Sequence, residues 1–293
     1  MILISNQYLS KIMSKLNQTI KHSKWFTTCV SRSLNKDRFA CPNCGSSEST
    51  VIDSKFFVTN LRGCHNCALQ FRTPTDPPEE SKEYYQQHYS MGFITDLPSP
   101  EVLSTLMKSK FENHEKSYSH ITDLLKIFYP QGGNIFDFGC SWGYGSWQIK
   151  EAGFSVFSYE ISQSRSLYAK QKLGVEIVDL LNPPTGLDIF FSNHVIEHVP
   201  SPSETIALAR RVLKPDGLFI AITPNGSGAF KKINFSAWHM LWSQDHPNFL
   251  NEAFYQKEFK DNSYIISSSP NDLVSFSQWN NAKNQRNYST QRE

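Results

Sequence analysis

Between residues 135 and 145 the chain reads "IFDFGCSWGYG": a run suited to a buried strand, then Asp137, then a loop carrying Gly139, Gly143 and Gly145. A strand that ends in a glycine-rich turn and leads into a helix is where nucleotide-type cofactors are held, because free backbone N–H groups face the ligand there. The dinucleotide form of this turn needs G-x-G-x-x-G. Aligned on Gly139, its second and third places hold Ser141 and Tyr144, so that pattern fails. The pattern D-x-G-x-G-x-G fits better. Asp137, Gly139 and Gly143 match it, and Ser141 replaces the middle glycine.

Charge separates the cofactors that such a loop could hold. A carboxylate at the mouth of the loop, where Asp137 is expected, repels a pyrophosphate and attracts an ammonium group. S-adenosylmethionine has no phosphate, and it carries an ammonium, a carboxylate and a sulfonium. Its carboxylate would use N–H groups near the helix start. Its ammonium would use carbonyls and Asp137, directly or through water. Glu160 ends the next strand, "FSVFSYEIS", and can accept both hydroxyls of a ribose. Asp179 ends "VEIVDLLN" and is expected near an adenine edge, with Leu180 beside it for stacking. Acids at strand ends also cap helices, but three of them in order at successive strand ends form a set.

A second constellation lies upstream. Cys41 and Cys44 sit in "CPNCG", Cys64 and Cys67 in "CHNCA". Zinc takes four such ligands in a tetrahedron, about 2.3 Å from each sulfur. The spacing fits the hairpin of a zinc ribbon, with structural zinc on Cys41, Cys44, Cys64 and Cys67. Such a closed site stabilises a module too small to fold on its own core. No secretion-signal pattern favours disulfides, and the βαβ context of a redox dithiol is absent. His65 reads as a surface residue.

These residues need elements to position them. Short strand-like runs occur at Thr50–Ile52 and Phe56–Thr59, and the prolines of "PTDPPEE" mark a linker. A helix is expected over 79–90, and apolar spacing of three to four predicts a long one from 101 to 129. Strands at 134–138, 154–159, 175–178, 187–192 and 217–223 then alternate with helices at 143–152, 162–172 and 201–213, which predicts a parallel sheet covered on both faces. "NSYIISSSP" and "NDLVSFSQW" read as an antiparallel hairpin at one sheet edge. The expected division is a basic extension (1–36), a zinc ribbon (37–75), a linker and helix (76–100), a main domain (101–280) and a polar tail (281–293). The extension holds Lys11, Lys15, Lys21, Lys24, Arg32 and Lys36 and no acid.

Taken together, "FDFGCSWGYG", "YEIS", "DIFFSNHVIEHVPSP" and "LKPDGLFIAITPN" resemble the class I S-adenosylmethionine-dependent methyltransferases, over roughly 100 to 280. With the ribbon, the chain resembles bacterial methyltransferases that modify sugars, lipids or secondary metabolites. The resemblance implies a Rossmann-like α/β sheet of seven strands, mostly parallel with an antiparallel last strand. It implies a cofactor site of Asp137, Gly139, Ser141, Gly143, Glu160, Ile161, Asp179, Leu180 and Asn193. Ser141 departs from the pattern, narrowing the room at the methionine end while offering a hydroxyl donor.

In "NHVIEHV", His194, Glu197 and His198 read H-x-x-E-H, the spacing of inverted zinc proteases. That motif must lie within a helix. Here a strand precedes it and Pro200 follows closely, so the protease reading is rejected. Some methyltransferases that resemble this region carry E-x-x-E-H and hold a divalent metal; here His194 replaces the first Glu. A metal, a general base, and a packing role all stay open.

Methyl transfer to a hydroxyl needs alignment and a base. His194, His198 and His246 are the candidates. The acceptor wall is expected over 226–256, which holds Phe230, Phe235, Trp238, Trp242, Phe249 and Phe254, with at least half of these rings expected instead to pack a lid onto the sheet. The expected acceptor is a small molecule, a sugar or a lipid-linked compound. An RNA methyltransferase using the ribbon for grip, and a non-catalytic binding module, are the alternatives. A net charge of +2 and few basic residues in the ribbon speak against nucleic acid. No run of about 18 apolar residues predicts a membrane span, and a cytoplasmic location is expected.

Overall fold

The computed structural model describes residues 25–77, 79–80 and 97–266. Residues 25–32 are helical. The small module that follows is built on β1 (Ser49–Lys55), β2 (Thr59–Cys64) and β3 (Gln70–Thr73), paired antiparallel in that order. The run Phe56–Thr59, expected as a strand, is mostly the turn between β1 and β2. Phe56 and Phe57 adopt left-handed backbone there, at φ 53 and 60, and reverse the chain.

The single helix expected over 101–129 is two. α1 (Pro100–Lys108) begins under the Ser99 cap, and α2 spans Ser119–Phe128. Lys110 and Phe111 leave α1 in left-handed backbone, and the turn carries Phe111 into full burial beside Trp142. The apolar period runs on through the break, so it does not reveal it.

The main sheet is formed by β4 (Asn134–Phe138), β5 (Ser155–Tyr159), β6 (Glu176–Ile177), β7 (Leu187–Asn193) and β8 (Leu213–Ile222). The intervening helices are α3 (Tyr144–Glu151), α4 (Gln163–Leu173) and α5 (Pro202–Val212). The order is β6-β5-β4-β7-β8, with every pairing parallel. Alternate residues of each central strand face opposite layers. Ile135 and Phe191 meet Ile121, Leu125 and Ile149 on one face. Phe136 and Phe190 meet Ala209 and Val212 on the other. Burial on both faces explains why these strands read as near-continuous apolar runs.

Among the described residues the sheet has five parallel strands where seven were expected. Residues 263–266, the start of the expected edge hairpin, are not in a strand. The rest of that hairpin, the tail, residues 1–24 of the extension and nearly all of the helix expected over 79–90 lie outside the described residues. No helix among the described residues is long and apolar enough to cross a membrane.

After β8 come α6 (Gly228–Ile233), α7 (Phe235–Leu241), β9 (Asn248–Phe249) and α8 (Glu252–Glu258). β9 pairs with β3, so this segment completes the sheet of the small module. Trp238, Trp242 and Phe249 are buried with Leu61 of β2. Phe254 and Leu250 are buried with Cys41, Cys64, Leu69 and Phe71. These rings are packed, as expected for at least half of the aromatics of 226–256, and they fasten the small module to the main domain where a lid on the main sheet was expected. Burying each contributes roughly 1.5–3 kcal/mol. Phe235 stays half exposed.

Candidate active site

The strand order reverses at β4, whose neighbours are β5 and β7. In open parallel sheets ligands bind at the carboxyl ends beside such a reversal. The glycine loop leaves β4 at that point. Gly139, Ser141 and Gly143 have φ of 88, 53 and 87, left-handed backbone at alternate residues that curls the loop over the strand end. Gly139 also has no room for a side chain, since a Cβ there would lie 2.3 Å from Val195 Cγ2. Its N–H and that of Cys140 both donate to the Tyr159 carbonyl, at 2.8 and 3.0 Å.

Glu160 closes the other side. Its Oε2 accepts from the Ser141 N–H at 2.9 Å and its Oε1 from the Ser162 N–H at 2.8 Å. A carboxylate has about four lone-pair directions, so both oxygens keep capacity for hydroxyl donors. Burial raises the Glu160 carboxyl above its ordinary value, against the two N–H groups and Arg165. Ser141 Oγ is buried with no hydrogen-bond partner. A donor left in that state fits a site that a polar ligand completes.

Asp137 lies at the floor of this site rather than at its mouth. It is 4% exposed, and Ser146 Oγ donates to its Oδ2 at 2.5 Å, with Ser158 Oγ donating to Ser146 behind it. The strand end buries the side chain because β4 is central and α3 starts directly above it. Burial, with a smaller contribution from the Glu160 charge, pushes its pKa up to about 6, against the Ser146 bond.

The remaining expected residues are spread around this floor. Asp179 is exposed, and its Oδ1 accepts from the Leu181 N–H at 2.9 Å, closing the turn that follows β6. Leu180 packs beside the Phe136–Phe138–Phe190 cluster. Ile161 follows Glu160 and is half buried. Asn193 ends β7 and its Nδ2 donates to Tyr118 Oη at 2.9 Å.

Sequence reasoning missed Tyr118. Its ring sits against Tyr144 and Phe191 at centroid distances of 5.4 and 6.4 Å. A Cβ on Gly145 would lie 2.4 Å from Tyr118 Cε1, so the third glycine of the loop makes room for this ring. Burial, with Tyr144 and Asp137 nearby, pushes its phenol well up and keeps it neutral. Gly145 was the one signal, and nothing local says which ring it admits. Trp142 packs beneath the loop, fully buried with Leu103, Leu106, Phe111 and Leu173.

The histidines divide. His194 has left-handed backbone, φ 54, and a side chain 58% exposed, with Nδ1 3.2 Å from Glu197 Oε1. That bond raises its pKa. His198 and His246 come together, ring centroids 4.7 Å apart, and burial pushes His198 down. The four cysteines also meet. Cys41 and Cys67 sulfurs are 3.5 Å apart, Cys44 and Cys64 sulfurs 3.6 Å, and all four lie within 4.8 Å of one another. A tetrahedron with bonds of about 2.3 Å has edges of about 3.8 Å, so the cluster fits one zinc ion. Both knuckles turn alike: Gly45 N–H donates to Cys41 O and Ala68 N–H to Cys64 O, with φ of 72 and 62.

Residues 112–265, just over half of the chain, match the family described as Methyltransferase domain, and the chain belongs to that family. A probable S-adenosylmethionine-dependent methyltransferase of Mycolicibacterium smegmatis is 25% identical over 121 residues, which are 39% of this chain. The chain spans 45% of that relative's length. Similar solved structures include a TehB-like SAM-dependent methyltransferase from Corynebacterium glutamicum, 20% identical, covering 42% of this chain and 73% of that one with a TM-score of 0.33. The YcgJ protein from Bacillus subtilis is 17% identical, covering 49% and 68% with a TM-score of 0.40.

Proposed function

We propose that the chain is an S-adenosylmethionine-dependent methyltransferase acting on a small-molecule, sugar or lipid-linked acceptor. The observation that carries this reading is the glycine loop joined to Glu160 through the Ser141 N–H, with Ser141 Oγ left without a partner beside it. Family membership supports it. S-adenosylmethionine supplies the methyl group on a leaving group that is already activated. The chain's residues then have to bind and align. Glu160 takes the ribose hydroxyls. Asp137 offers negative charge beneath the ammonium. Gly139, Ser141 and Gly143 shape the loop, Leu180 and Ile161 border the adenine with Asp179, and Asn193 with Tyr118 closes the methionine end. Alignment of this kind contributes several kcal/mol to a displacement. A hydroxyl acceptor also has to lose its proton, and the turn carrying His194 and His198, which borders the glycine loop through Val195, is where that step falls.

In the same reading residues 37–75 are a zinc ribbon whose ion is structural. The RNA alternative is disfavoured by three of the ribbon's four Lys and Arg side chains, which are engaged within the protein. Arg62 bonds to Ser49, Lys55 to the Trp242 carbonyl, and Arg72 is buried against Pro74 and Asp76. Calorimetric titration with S-adenosylmethionine tests the proposal.

A further inference from the structure

We propose that Glu197, His198 and His246 form a divalent transition-metal site, separate from the four-cysteine cluster. One ligand-capable atom from each lies within 4.8 Å of the other two. Glu197 is 1% exposed. Its Oε1 is bonded to His194, and its Oε2 has no hydrogen-bond partner. A buried carboxylate oxygen in that state is costly unless a cation or donor meets it.

The two rings are prepared to hold that cation. His246 Nδ1 lies 2.6 Å from the Leu241 carbonyl, so it carries the proton and puts the lone pair on Nε2. His198 Nδ1 lies 2.5 Å from the Asp245 carbonyl in the same way. Its Nε2 is 4.0 Å from Glu197 Oε1. An imidazole whose other nitrogen donates to a carbonyl is the arrangement that holds a metal-binding histidine. Two imidazoles and one carboxylate suit zinc or ferrous iron better than magnesium, and they leave coordination positions open.

The ligand set is not the H-x-x-E-H run. His194 stands outside it and bonds to Glu197 through Oε1, leaving Oε2 for the ion. The third ligand comes from the segment leading into β9, which is fastened by three hydrogen bonds. Asn248 donates through its N–H to Glu197 O at 3.1 Å and through Nδ2 to Val199 O at 2.6 Å. Arg72 N–H of β3 donates to Pro247 O at 2.8 Å. The cysteine module thus holds His246 in place.

Val195 packs on Gly139, so this turn borders the glycine loop. The existence of the site does not rest on methyl transfer; its use does. On that reading the metal binds an acceptor oxygen and lowers its pKa, and the O–H proton leaves to solvent. The new O–CH₃ bond then forms as the S–CH₃ bond breaks.

The test is metal content and Co²⁺ titration of the full chain, wild type against His246→Ala and Glu197→Gln. The second variant keeps size and covers failure of the first to fold. Wild type is expected to hold about one ion more per chain than either variant. Cobalt at that site should give nitrogen–oxygen bands without sulfur charge transfer. Each variant should lose more affinity than the roughly 10–100-fold that an outer partner costs. Equal metal content and equal titrations in all three proteins overturn the site. S-adenosylmethionine titration of the same samples is independent: no binding there defeats the methyl-transfer reading and leaves the metal result standing.

Discussion

The Ser141 N–H donates to Glu160 Oε2 at 2.9 Å, tying the loop that leaves β4 to the acid that ends β5. Glu160→Gln replaces one acceptor oxygen by an NH₂ group facing backbone donors. Hydrogen bonds to a charged group are worth about 1.5–3 kcal/mol. The substitution should therefore weaken S-adenosylmethionine binding roughly 10–150-fold, read by calorimetry at neutral pH. Unchanged affinity would remove Glu160 from the site.

Asp137 makes a pH prediction. Its carboxyl is held up at about 6 in the fold against an ordinary 3.8. Between those values the native state binds the proton that the unfolded state has lost, so its contribution to stability falls as pH rises through that window. The loss amounts to about 3 kcal/mol once pH exceeds 6. Asp137→Asn should match wild type near pH 4, melt higher at pH 7 to 8, and bind S-adenosylmethionine more weakly. In wild type a cation above Asp137 favours its charged form, so affinity should rise with pH through about 6 with proton release. Thermal melts and calorimetry in two buffers check both.

The two cysteine knuckles share one backbone conformation but not one residue. Ala68 occupies at φ 62 the place that Gly45 occupies at φ 72. Left-handed backbone costs a non-glycine residue roughly 1–2 kcal/mol. Ala68→Gly should stabilise the protein by about 1 kcal/mol in denaturant titration, and Gly45→Ala should destabilise it by a similar amount.

Because β9 joins β3, removing metal from the cysteines should loosen a distant segment. Hydrogen exchange after chelation should quicken in 59–73 and in 248–254 together, while β4 and β7 keep their protection. Exchange that quickens only in 41–73 would uncouple the two.

The parallel sheet was legible because each strand is an apolar run bounded by Gly, Pro or acid. "NIFDF" matches β4 residue for residue. The break at Lys110 was hidden, since the apolar period continues across it and Phe111 is buried by a fold-back. The aromatics of 226–256 were visible, but a ring does not announce its partner, and theirs is the cysteine module. Tyr118 meets Asn193, and His198 meets His246, only through tertiary contact. No local pattern encodes such pairs. Asp137 was placed correctly along the chain and wrongly in depth, because burial depends on the helix above it.

On the proposed function, the loop of Gly139, Ser141 and Gly143 with Glu160 holds S-adenosylmethionine. Calorimetric titration of the full chain with S-adenosylmethionine and, separately, with NAD tests it most directly. Saturable one-to-one binding of S-adenosylmethionine is expected, weakened roughly 10–150-fold in Glu160→Gln, with no binding of NAD. Binding of NAD without binding of S-adenosylmethionine would contradict it.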